Sequence, residues 1–115
     1  MAESTIDLAT FKALQEAAGA EFVVKLVDTF LEEAPVMLGE LRGALAKRDA
    51  EKFRRTAHSL KSNGLTFGAL GLGAMARELE LGGLEHALEA GPEPLAALEA
   101  EYARVAVALA ELRHA

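Results

Sequence analysis

Apolar residues recur at three- and four-residue intervals along most of the chain, the spacing that gives a helix one apolar stripe. A first short helix is predicted over residues 8–17, with Asp7 or Thr5 as its N-cap and Gly19 near its end. The second spans residues 20–47, where Phe22, Val23, Leu26, Val27, Phe30, Ala34, Met37, Leu38, Leu41 and Leu45 keep the helical spacing. Pro35 is expected to kink this helix or divide it in two. Asp49 can cap a third helix that ends near Gly68. The fourth covers residues 70–88, with Leu72, Met75, Ala76 and Leu79 inward and Gly82-Gly83 as a weak point. Gly91-Pro92 ends that helix and opens the last, Pro suiting a first helical position. The last helix buries Leu95, Leu98, Tyr102, Val105, Leu109 and Leu112. No segment shows sustained period-two alternation, so the class is all-α. Four long helices with short connections predict an antiparallel up-down four-helix bundle, the additional short N-terminal helix lying across one end. Residues 1–6 and the last few are expected to fray.

Composition narrows this further. The 115 residues make one domain, 1–115, large enough to bury an ordinary core. Ala and Leu dominate the apolar half of the chain, and with Glu, Lys and Arg they are strong helix formers. Cysteine is absent, which removes disulfides and cysteine-based metal sites and suits a reducing compartment. A net charge of −6 speaks against nucleic acid as a partner. No apolar run approaches the roughly 20 residues of a membrane span, and the N-terminus lacks the features of a signal peptide. A cytoplasmic monomer that does not engage a membrane is expected.

Two sequence features invite chemistry that the setting does not support. Gly71-Leu72-Gly73-Ala74-Met75-Ala76 fits the dinucleotide fingerprint, but that pattern works only after a strand in a βαβ unit. Here the glycines are read as a turn and close helix packing. His58, His86 and His114 are scattered, and no His/Glu pairs recur at the spacing a metal bundle needs, so no metal is expected. His86 and His114 lie near helix ends, where a cation suits the helix dipole.

His58 stands apart from the other two. In Arg54-Arg55-Thr56-Ala57-His58-Ser59-Leu60-Lys61-Ser62-Asn63-Gly64-Leu65, the apolar stripe is formed by Phe53, Ala57, Leu60, Gly64 and Phe67. His58 falls about 140° from its centre and should face solvent. Arg54 and Lys61 lie on its near side, with Arg55 and Ser62 a little beyond, so an acidic protein gains a local basic patch. Such a patch would stabilise the charge of a transferring phosphoryl group. Gly64 costs the helix about 1 kcal/mol against Ala, and on the buried stripe it is best explained by close approach of another helix. Leu65, about 20° from His58, offers an apolar contact to a docking partner.

These residues resemble the histidine-containing phosphotransfer (HPt) domain family. The resemblance rests on His58-Ser59-Leu60-Lys61-Ser62-Asn63-Gly64-Leu65-Thr66-Phe67-Gly68, and extends to Phe30-Leu31-Glu32-Glu33-Ala34-Pro35 and Ala76-Arg77-Glu78-Leu79-Glu80. It implies that His58 accepts and donates a phosphoryl group, that Lys61 contacts the phosphoryl oxygens, and that Glu80 orients the imidazole. The implied partners are receiver domains of response regulators and hybrid histidine kinases. Magnesium would belong to the receiver, so no cofactor of this chain's own and no kinase activity are expected: it would be a phosphocarrier. Many members carry glycine where Ser62 stands, which bears on how closely a partner backbone approaches. Two alternatives share these features. One is the phosphotransfer domain of a chemotaxis-type kinase, and the other is a non-catalytic helical adaptor that binds receivers.

Overall fold

The computed structural model describes residues 5–113. Asp7 starts α1 (Leu8–Ala18), its carboxylate accepting the Thr10 backbone N–H, one of the donors a helix start leaves unpaired. Gly19, at φ 95°, ends α1 and opens α2 (Ala20–Lys47). At about 1.5 Å per residue, the 28 residues of α2 run the full 41 Å of the molecule's long axis.

Pro35 does not divide α2; the helix passes through it without interruption. Proline has no N–H for the carbonyl four residues back, which is that of Leu31. The Tyr102 hydroxyl, from the last helix, lies 3.4 Å from this oxygen and donates to it. A side chain from another helix thus supplies part of what the backbone lost. The same burial pushes the Tyr102 phenol above its ordinary pKa. Phe22, expected inward, is 53% exposed, because it lies off the core-facing edge of α2 that Val23, Val27, Phe30 and Ala34 begin.

α3 (Ala50–Thr66) opens on Asp49, whose side chain accepts the Lys52 N–H at 3.1 Å. Phe53, Ala57, Leu60, Gly64 and Phe67 are all buried, as the stripe predicted. α4 (Leu70–Ala90) runs two residues beyond its predicted end, and the expected weak point falls at Gly83, where φ 77° and ψ −177° break the helical path. In α5 (Glu93–Leu112), Pro92 is the residue before the helix rather than its first member, and Pro94 lies in the first turn.

Connections of two or three residues make α2 to α5 antiparallel in sequence order, and α5 returns against α2 to close a four-helix bundle. α1 packs on α2 and α3 at one end. Phe30 centres the core there, with Phe67 at 5.3 Å and Tyr102 at 5.9 Å between ring centroids. Arg42 of α2 pairs with Glu99 of α5, holding that carboxylate below its usual range, and Arg113 pairs with Asp28 at 2.7 Å.

The expectation that residues 1–6 fray fails for Thr5 and Ile6. Ile6 is fully buried, and the Asp7 N–H donates to the Gly68 carbonyl at 2.8 Å. Burial of an isoleucine, worth roughly 1.5–3 kcal/mol, together with this bond ties the segment to the α3–α4 turn. Residues 1–4 and 114–115, including His114, lie outside the described residues.

Candidate functional site

The Leu60 and Ala57 stripe locks α3 against the core and leaves the opposite face rigid and outward. His58 stands on that face with its side chain 55% exposed, as the helical wheel requires. α4 runs antiparallel beside it in close contact. A Cβ at Gly64 would lie 3.3 Å from Leu72 Cδ2, and one at Gly73 would fall 2.4 Å from Leu65 Cδ2. The two glycines therefore permit the close α3–α4 seam. Gly71 and Gly73 open a helix with no strand before it, so their role is packing rather than cradling a pyrophosphate.

Across this seam His58 meets Glu80. The imidazole Nδ1 lies 2.7 Å from Glu80 Oε2, and the Lys61 ammonium lies 3.0 Å from Glu80 Oε1. Glu80 is only 15% exposed and Lys61 22%. Oε1 itself is shut off from solvent and makes no directed hydrogen bond, so the Lys61 charge is what compensates it. Lys61 holds the Glu80 carboxyl below the usual carboxylate range; burial opposes this, and His58 adds to the lowering. An ionised carboxylate can only accept a hydrogen bond. Nδ1 must therefore carry the proton, which in the neutral imidazole leaves the lone pair on the outward Nε2.

The depressed Glu80 value carries a sign. Its contribution to stability is complete above the ordinary carboxylate range and is lost as pH falls through the folded-state value. Glu80→Gln should therefore show a shallower acid-side loss of stability than the parent between about pH 6 and pH 3. Urea unfolding at a series of pH values measures this; parallel curves for the two proteins would contradict it.

The remaining basic and docking residues are sorted by the fold. Arg54 and Ser62 are exposed on the His58 side, and the Ser62 carbonyl accepts from the Thr66 hydroxyl at 2.9 Å. Leu65 is 41% exposed with its inner edge on Gly73. Arg55 is turned to the other flank, 3.8 Å from Glu51 and bordering a polar groove with Glu33, Glu40 and Ser59. The Lys61–Glu80 pair escaped the sequence reading, which placed both residues at the imidazole separately. The missing piece was the register: side chains on a helix lean toward its N-terminus, which on the antiparallel α4 turns Glu80 toward Lys61 only once His58 and Glu80 stand level. Among the described residues no group of three metal-ligating side chains occurs, and no helix is long and apolar enough to cross a membrane.

An outward imidazole backed by a carboxylate from the neighbouring helix is a surface arrangement on a four-helix bundle rather than an enclosed pocket. The chain belongs to the Hpt domain family, whose model matches residues 25–108. It is a histidine phosphotransfer protein of the two-component phosphorelay type. Among solved structures it is similar to histidine-containing phosphotransfer protein B (HptB) from Pseudomonas aeruginosa PAO1. The two share 31% sequence identity at a TM-score of 0.86, over 96% of this chain and 95% of the other. No curated protein matches the sequence significantly.

Proposed function

We propose that His58 is the residue that carries the phosphoryl group, exchanged with the phosphoaspartate of receiver domains. The observation that supports this most directly is the 2.7 Å contact between Nδ1 and Glu80, which leaves Nε2 unprotonated and facing solvent. Nε2 attacks the phosphorus of the receiver's acyl phosphate. An N–P bond forms, the P–O bond to the aspartate breaks, and the aspartate leaves as a carboxylate. The proton stays on Nδ1, so the phosphorylated ring gains positive charge beside the Glu80 carboxylate, an electrostatically favourable neighbour. The reverse step returns the phosphoryl group.

Lys61 then turns toward the phosphoryl oxygens, Arg54 adds positive charge at the rim, and Leu65 with Ser62 forms the nearest surface for the receiver. Arg55, on the other flank, contributes at the edge of the interface. The contact should be modest and transient, with rim charge setting on-rate and partner choice. The chain works as a cytoplasmic monomer, without a cofactor of its own and without kinase activity.

Incubating the chain with a phosphorylated receiver domain and magnesium tests this reading. Transfer should appear as label on the chain that acid removes and base does not, the lability of a phosphoramidate bond. A chain that binds the receiver but never gains label would instead be an adaptor.

A further inference from the structure

We propose that Arg77 is a positioning residue of the same site, taking over Glu80 when Lys61 turns to the phosphoryl group on His58. The proposal rests on the reading of His58 as the carrier. The difficulty it resolves is one of charge: Lys61 is the counter-charge of Glu80 Oε1, an oxygen excluded from solvent, yet phosphorylation gives Lys61 a second anion to serve. If Lys61 leaves, a buried carboxylate oxygen loses its compensation, and that is costly.

The register of the α3–α4 seam shows where a replacement sits. His58 faces Glu80, and Leu65 covers Gly73, seven residues on along one helix and seven back along the other. Three residues on from His58 is Lys61; three back from Glu80 is Arg77. Arg77 is therefore level with Lys61, on the opposite side of the seam. Glu80 also leans toward it, because side chains on a helix tilt toward the N-terminus and cover the preceding turn.

Along the α3–α4 seam Arg77 meets no competing anion at helical spacing. On α4 its neighbours at three and four residues are Gly73, Ala74, Glu80 and Leu81, so Glu80 is the single carboxylate at the facing distances. From α3, the charged groups along the seam are Arg54, His58 and Lys61, all cations or potential cations. Arg77 is exposed and makes no ion pair or hydrogen bond among the described residues. A long, free guanidinium one turn from a carboxylate already claimed by a lysine is poised to exchange with it. The Gly83 break lies just beyond, so the Arg77–Glu80 turn is the last complete turn of the straight part of α4.

Titration of the Glu80 side-chain carboxyl by carbon NMR tests the exchange without any phosphate. Arg77→Gln alone should leave the midpoint in place, since Lys61 holds the carboxylate. Lys61→Met should raise it only in part, because Arg77 moves in. Adding Arg77→Gln to Lys61→Met should raise the proton affinity a further two- to fivefold, about the strength of a partly exposed ion pair. Arg77→Lys in the Lys61→Met background should largely hold the midpoint. A double variant that titrates like Lys61→Met overturns the proposal.

The second readout is the equilibrium of transfer with a phosphorylated receiver. Arg77→Gln should shift it two- to fivefold toward the receiver, because Lys61 can no longer leave Glu80 freely. The shift should vanish in a Glu80→Gln background. An unmoved equilibrium overturns the exchange. Absence of label on His58 would instead overturn the carrier reading, with the Lys61–Arg77 redundancy still visible in the titration.

Discussion

His58→Gln should abolish phosphoryl transfer completely while leaving the bundle as stable as before. The two halves of this expectation have separate grounds. The side chain is more than half exposed and contributes nothing to the core formed by Phe53, Ala57 and Leu60 on the same helix. Surface substitutions of this kind change stability by about 0.5 kcal/mol or less. Glutamine keeps a donor for Glu80, so the carboxylate stays accompanied by Lys61 and an amide. It has no nucleophilic nitrogen, since the amide lone pair is delocalised into the carbonyl, and the N–P bond has nothing to form on. The other described histidine, His86, has no carboxylate contact like that of His58 and lies beyond the Gly83 break, its ring against Gly82. Label transfer from a phosphorylated receiver and thermal unfolding, measured on the same preparation, check both halves. Label retained on the variant would place the carrier residue elsewhere.

The helical plan was readable because it depends on local periods that the structure does not override. The buried stripe of α3 and the outward placement of His58 both follow from one angle per residue. The Asp7 and Asp49 caps follow from side chains that reach back to their own helix starts. What the sequence hid is non-local. Pro35 signals a break because the chain alone cannot show that Tyr102, 67 positions later, offers a hydroxyl to the Leu31 carbonyl. Ile6 belongs to a short terminal segment with no period of its own, and only the Gly68 turn shows why it is buried. At the site, His58, Lys61 and Glu80 could be named from the family resemblance. That Lys61 rests on Glu80 depends on the register of two helices, which is set by glycine contacts across the seam.

The arrangement also explains why a carrier can be built on so plain a scaffold. Chemistry at an exposed histidine needs a fixed tautomer and a fixed direction, and little else from this side of the interface. α3 fixes the direction through its buried stripe, and Glu80 fixes the tautomer from the neighbouring helix. Both depend on the seam, so anything that displaces α4 relative to α3 should change reactivity without touching His58. The turn between the two helices is the part of the seam most sensitive to a single atom.

Gly68→Ala is accordingly expected to be the most damaging single-methyl change in this region, at about 2–4 kcal/mol. Gly68 sits at φ 85°, in the left-handed region that side chains resist. That alone costs about 1–2 kcal/mol. The added Cβ would also fall 2.7 Å from the Asp7 carbonyl oxygen and 3.1 Å from Thr10 Cβ. The first of these is backbone and cannot rotate away. Relief requires the N-terminal segment to lift from the turn, breaking the Asp7 N–H bond to Gly68 and exposing Ile6. Gly91→Ala is the natural control, because Gly91 has nearly the same φ of 82° but nothing within 4 Å of the added carbon. It should lose the conformational part only, about 1–2 kcal/mol. Urea unfolding of the two variants separates strain from collision: equal losses would mean that the N-terminal segment yields at no cost. If it yields as expected, amide exchange at Asp7 should quicken in Gly68→Ala and stay slow in Gly91→Ala.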